Sequence, residues 1–214
     1  GKNAVRLLGG LWVALRVSLI SVAISIPLGI LLGVLMTKKN RLIRAILRIY
    51  LEIIRIMPQM VLLFLAYFGT ARAFGWNLDG ETAAIIVFAL WGTAEMSDLV
   101  RGALVSIPRH QYESAEALGL TRGQVFRYVV LPQAVSISMP AFMANIIFLL
   151  KETSVFSAIS LMDLMFTAKD LIGLYYKTAE NLFLLVVFYL IILLPVSLLG
   201  SWLERRLRYA GFGS

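Results

Sequence analysis

Cysteine is absent from the 214 residues, and His110 is the single histidine. The first absence excludes a disulfide framework, thiol chemistry and a thiolate metal site; the second means that a lone histidine cannot build a metal cluster. Acidic residues are scarce, 12 Asp and Glu against 20 Lys and Arg. No Gly-x-x-x-x-Gly-Lys-Ser/Thr run occurs, so the chain offers no P-loop for ATP. Neither His-Glu-x-x-His nor Gly-x-Ser-x-Gly occurs, which leaves an intramembrane enzyme without support. Low-complexity tracts and obvious internal repeats are missing too, which weighs against carriers built from inverted repeats within one chain.

What is present is apolar. Hydrophobic residues make up 60% of the chain, against about 45–50% in soluble domains. Val17 to Met36, Tyr128 to Leu150 and Asn181 to Leu203 carry no charge. Each is about 20 residues or more, enough to cross roughly 30 Å of hydrocarbon. Two further stretches are less clean: Ile56 to Ala71 holds Pro58, and Thr82 to Ala94 runs into Glu95 and Asp98. The reading is an all-α membrane protein, one domain over 1–214, with spans near 7–36, 50–72, 82–105, 128–151 and 181–204. The first is long and carries Arg16, so its outer part is expected along the interface. Gly29-xxx-Gly33 within it suits close helix packing. Gly1 in place of an initiator Met reads as a trimmed start, and the run after Lys2 and Arg6 is too long for a signal peptide's apolar core. Residues 152–180 are too polar for a span and are expected as short helices or a re-entrant cap.

The basic residues set an orientation. Lys38, Lys39, Arg41, Arg44 and Arg48 crowd the first loop; Arg109, Arg122 and Arg127 lie near 106–127; Arg205, Arg206 and Arg208 close the chain. Five spans with the N-terminus outside put all three clusters, and the C-terminus, on the cytoplasmic side, where Lys and Arg are favoured. The +8 charge therefore reads as orientation and attraction to anionic lipid rather than as a nucleic-acid site.

Residues 113–132 form a polar island. Pro108 suits a helix start, and Gln111 to Leu118 are good helix formers. Gly119 suits the left-handed position that ends a helix, and Thr121-x-x-Gln124 is a capping-box pattern for the next one. Pro132 lacks an N–H and clashes with the Tyr128 carbonyl, so a kink is expected there. Physics alone leaves two readings: an ordinary amphipathic loop, or a surface that something outside the membrane holds.

The island resembles the EAA loop of ABC-importer permeases: Glu-Ala-Ala, three residues, Gly, nine residues, an aliphatic, any residue, Leu-Pro. Here stand Glu113-Ser114-Ala115, Gly119, Val129 and Leu131-Pro132, with Ser114 for Ala as the main departure. The flanks are similar to the polar amino-acid branch, the histidine, glutamine and arginine importers. Arg55-Ile-Met-Pro58 resembles its Arg-Gly-Thr-Pro, and Leu150-Lys-Glu-Thr-Ser-Val resembles its Leu-Lys-Asp-Thr-Ser-Leu. The resemblance implies a type I importer fold in the cytoplasmic membrane and a permease subunit for amino acids. It implies a coupling helix docked on a separate ATPase subunit, which would carry the ATP and Mg, while this chain carries no cofactor. It further implies a second permease chain, the same or related, and an extracytoplasmic binding protein. Glu113, Ser114, Ala115, Gly119, Leu131 and Pro132 become the ATPase-coupling residues.

Ionisable groups inside a span are costly and face a cavity or a partner. Asp98 and Arg101 stand at i,i+3 and form a pair or line the pathway. Glu95, where the resembling family often has an aromatic, either holds a substrate ammonium or bonds a Ser or Asn on a neighbouring helix. Glu152 either binds a substrate amine or pairs with Lys151; Asn145 and Ser154 flank it as further pathway candidates. The competing function is an ion-coupled carrier or channel that uses Glu95 and Asp98.

Overall fold

The computed structural model describes residues 2–210; the side chains of Lys2 and of 208–210, Arg208 of the last basic cluster among them, and all of Gly1 lie outside the described residues. The described chain is helical. Its helices are α1 (Lys2–Thr37), α2 (Arg41–Ile56), α3 (Gln59–Phe74), α4 (Gly80–Ser106), α5 (Arg109–Ala117), α6 (Arg122–Ile159), α7 (Leu164–Tyr175) and α8 (Thr178–Ala210). Four of them, α1, α4, α6 and α8, are long and apolar enough to cross a membrane. The expected span at 50–72 is two helices, α2 and α3, that meet at 102°. The cause is Pro58, which cannot donate to the ladder and drives Met57 into extended backbone (φ −75°, ψ 132°). Counted as one broken span, the pair brings the total to five.

The centre of the bundle is the α1–α4 seam. Hydrocarbon gives helices no hydrophobic reason to associate, so close backbone approach and cross-helix hydrogen bonds carry the packing. Ser18, Ser21, Ser25, Gly29 and Gly33 form that seam at helical spacing. The Ser21 hydroxyl donates to the Ile85 carbonyl (3.4 Å) and the Ser25 hydroxyl to that of Ala89 (3.2 Å). A Cβ on Gly29 would lie 2.5 Å from Met96 Cβ, and one on Gly33 2.6 Å from Val100 Cβ. Gly29→Leu is therefore expected to lower the melting temperature and yield sharply, because overpacking a fixed backbone seam costs about 1–3 kcal/mol or more. Gly102→Leu, with nothing near its added carbon, should be neutral in the same thermal-shift assay.

α1 runs as one unbroken helix along its whole length. Arg16 is ion-paired to Glu81 at the start of α4, and Arg6 to Asp170 on α7. These pairs fix the end of the bundle opposite α5. The 3₁₀ end of α6 (Thr153–Ile159) and the short helix α7 cover that end. Phe156 packs on Phe88 of α4 with ring centroids 4.6 Å apart. Asp163 is fully buried and caps α7 by accepting from the N–H groups of Phe166 and Met165. Burial pushes its carboxyl up to about 6, against those amide bonds.

Candidate functional site

The polar segment is built as two helix ends back to back. α5 follows Pro108 and stops at Gly119, whose φ is +84°. Leu120 N–H donates to the Ala115 carbonyl (3.2 Å) and Gly119 N–H to that of Glu116 (3.0 Å). This is a Schellman ending, and it needs a residue without a Cβ penalty at positive φ. Thr121 then caps α6 with a complete capping box: its N–H donates to Gln124 Oε1 (2.9 Å), and Gln124 N–H to Thr121 Oγ1 (3.5 Å). The perturbation expected at Pro132 takes the form of a π-helical turn over Phe126–Val130, with Leu131 N–H reaching back to the Phe126 carbonyl. The wider turn absorbs a residue with no donor while the helix runs on.

One side of this segment is fastened to the bundle. Ala115 is buried with Ala103, Ile107, Val125, Val130 and Ala134, and Tyr112 and Leu120 pack against them. Gln133 Nε2 donates to the Val129 carbonyl (2.9 Å) and to Gln111 Oε1 (3.5 Å), tying α6 to α5. The other side is free. Glu113 and Ser114 are exposed, with Glu113 Oε1 2.8 Å from Arg109 Nε. The six expected coupling residues therefore split by position. Glu113 and Ser114 face out, Ala115 faces in, Gly119 shapes the turn, and Leu131 and Pro132 lie in α6 directly after its π-helical turn. Leu118 was not singled out by the sequence. It is 83% exposed, an apolar knob on a polar surface; its signal was a leucine directly before the helix-ending glycine.

The intramembrane acids form one network with a partner from α2. Arg55 Nε lies 2.8 Å from Glu95 Oε1, and Arg55 Nη1 2.8 Å from Asp98 Oδ2. Arg101 Nη2 lies 2.6 Å from Asp98 Oδ1. The i,i+3 pair is thus present, extended by a guanidinium 43 residues away. Glu95 takes neither a Ser nor an Asn; its partner is Arg55, three residues before Pro58. Arg–acid pairing offsets part of the cost of taking these half-buried charges out of water.

Asn145, Glu152 and Ser154 lie along α6. Asn145 is buried, and its Oδ1 has no partner among the described residues. Lys151 does not pair with Glu152. Its ammonium sits over the Phe148 ring, 5.4 Å from the centroid, an attraction that a cation gains from an aromatic face. A cavity of about 340 Å³ beside Asp98 and Arg101 includes none of these three residues. A single chain therefore leaves the five expected pathway residues in two places.

Residues 25–209 match the family described as binding-protein-dependent transport system inner membrane component, and the chain belongs to that family. It is a multi-pass permease subunit of an ABC importer. It is 33% identical over 161 residues to the glutamine transport system permease protein of Escherichia coli (strain K12), covering 75% of this chain and 74% of that one. It is 30% identical over 211 residues to the octopine transport system permease protein of Rhizobium radiobacter, covering 95% and 86%. The fold is similar to a crystal structure of an amino acid ABC transporter with histidines, with a TM-score of 0.88, 29% identity, and 96% and 95% of the two chains covered.

Proposed function

We propose that this chain is the membrane-spanning subunit of an ATP-driven importer of amino acids, coupled to its ATPase through the segment 109–132. The observation that carries the reading is the two-sided build of that segment. Its inner side is locked to the bundle by Ala115, Val125 and Val130, so force applied to the exposed Glu113–Leu118 side reaches α4 and α6 without being lost in a floppy loop. A rigid element with two attachments is what coupling between a remote site and a membrane pathway requires.

In this reading the end bearing α5 is cytoplasmic and the start of α1 outside, in the inner membrane of the cell. ATP and Mg act on the partner ATPase, and this chain contributes movement without a catalytic site of its own. A second permease chain, identical or related, completes the pathway, and an extracytoplasmic binding protein delivers the substrate. The similar glutamine and octopine permeases support an amino-acid cargo. Asn145, Glu152 and Ser154 are the α6 candidates for contact with a substrate, Asn145 with a buried and unpartnered Oδ1. Glu95 and Asp98 flank the pathway with their charge already matched by Arg55 and Arg101. That matching also disfavours an ion-coupled carrier, which needs an acid free to bind and release its ion.

Reconstitution in liposomes with the ATPase subunit and binding protein tests the reading. Uptake of glutamine or arginine is expected only when ATP and binding protein are both supplied. Uptake driven by an ion gradient with ATP absent would replace the importer with the carrier.

A further inference from the structure

α2 presents three separate faces. Leu47, Tyr50, Leu51 and Ile54 pack on Met36 and Ala94. Leu42, Ile46, Ile49, Ile53 and Ile56, at alternating spacings of four and three, are all exposed. Arg41, Arg44, Arg48, Glu52 and Arg55 form the third face at the same helical spacing. Arg44, Arg48, Glu52 and Arg55 open into the cavity of about 340 Å³, joined there by Arg101 and Asp98. The two acids leave the six charged groups with an excess of positive charge. Arg55 and Arg101 are held by Glu95 and Asp98, whereas among the described residues Arg44 and Arg48 enter no salt bridge.

The depth of this cavity follows from what else lines it. Thr37 is the last residue of α1, and Val105 is the last but one of α4. Two spans thus end at the cavity's level, which places it where hydrocarbon gives way to headgroups. Lys38 and Lys39 follow Thr37 directly. Charged groups needing an anion therefore stand at headgroup depth beside an exposed aliphatic stripe on the same helix. Guanidinium forks match phosphate oxygens two at a time, and basic pockets between membrane helices take anionic headgroups.

We infer that the α1–α2–α4 cavity binds an anionic phospholipid, its phosphate on Arg44 and Arg48 and its acyl chains along the isoleucine stripe of α2. Lipid rather than free phosphate is favoured because the stripe would otherwise have no role beside a charged cavity.

The test uses the full-length chain assembled with its partner subunits, in nanodiscs of phosphatidylcholine with or without phosphatidylglycerol. Lipid retained after detergent exchange is counted by native mass spectrometry. Wild type is expected to retain phosphatidylglycerol over phosphatidylcholine and to melt higher with it. Arg44→Gln/Arg48→Gln is expected to retain roughly tenfold less, while Arg205→Gln/Arg206→Gln, which loses the same charge elsewhere, retains as much as wild type. Equal retention by the Arg44/Arg48 variant and wild type would overturn the inference. A second arm uses wild type alone, so it does not depend on the variant folding. If inorganic phosphate in phosphatidylcholine discs raises the melting temperature as much as phosphatidylglycerol does, the site takes a free anion and the lipid assignment fails. The assignment also fails if the variant loses permease pairing equally in both lipids, since that face then contacts the second permease chain.

Discussion

Gly119→Leu is expected to lower ATP-driven uptake by about tenfold or more while the chain still assembles in the membrane. Nothing lies within 4 Å of the added Cβ, so the penalty is conformational rather than a clash. A left-handed residue bearing a side chain costs about 1–2 kcal/mol, which is roughly a tenfold shift against the native turn. That amount is too small to unfold a bundle held by the α1–α4 seam. It is enough to displace the exposed Glu113–Leu118 face relative to the side locked by Ala115. Gly119→Asn, which tolerates positive φ better, should be intermediate. Gly123→Ala, inside a helical turn and in open space, should leave uptake intact. ATPase activity that persists without uptake is the expected signature, and normal uptake by Gly119→Leu would contradict a coupling role for the turn.

The second large effect is expected at Arg55. Removing it with Arg55→Leu leaves Glu95 without its partner and Asp98 with Arg101 alone. Breaking a fully buried pair costs about 3–5 kcal/mol. Here the Arg55 and Glu95 side chains are 40% and 21% exposed, so screening reduces the expected loss to about 1–2 kcal/mol. The melting temperature and yield of Arg55→Leu should fall accordingly. Adding Glu95→Gln should restore much of the loss, because the orphaned charge is then gone. The double-mutant cycle measures the coupling directly. A Glu95 that serves substrate instead would give Glu95→Gln a normal melting temperature and a weaker apparent affinity, with no coupling to Arg55.

The sequence made local features legible and left distant ones obscure. Gly119, the Thr121–Gln124 box and the Gly29–Gly33 pair are each specified by a few neighbouring residues, and each stands where its local chemistry puts it. Pro58 was visible as a flaw in an apolar run, but the 102° turn it produces depends on α2 having Met36 and Ala94 to pack against. The partner of Glu95 was out of reach of spacing rules, which relate residues three or four apart; Arg55 is 40 positions away and arrives only because α2 bends. The same holds for Lys151, drawn to Phe148 rather than to its neighbour Glu152. The perturbation that Pro132 implies takes the form of a π-helical turn over Phe126–Val130, after which the helix continues. Val125 and Val130, at the two ends of that turn, are held in the cluster under α5, a contact no local pattern reveals.

The most direct test of the coupling account uses the absence of cysteine. A single cysteine at Leu118, the exposed knob at the end of α5, gives one reactive thiol in the whole chain. With a bifunctional thiol–amine reagent, the assembled complex is expected to yield one crosslinked product, permease joined to ATPase, whose amount changes between nucleotide-free and ATP-bound states. A cysteine at Met162, exposed at the opposite end of the bundle, should yield no such product. Crosslinking to the ATPase from Met162 and none from Leu118 would contradict the account, because the ATPase would then sit on the wrong end of the molecule.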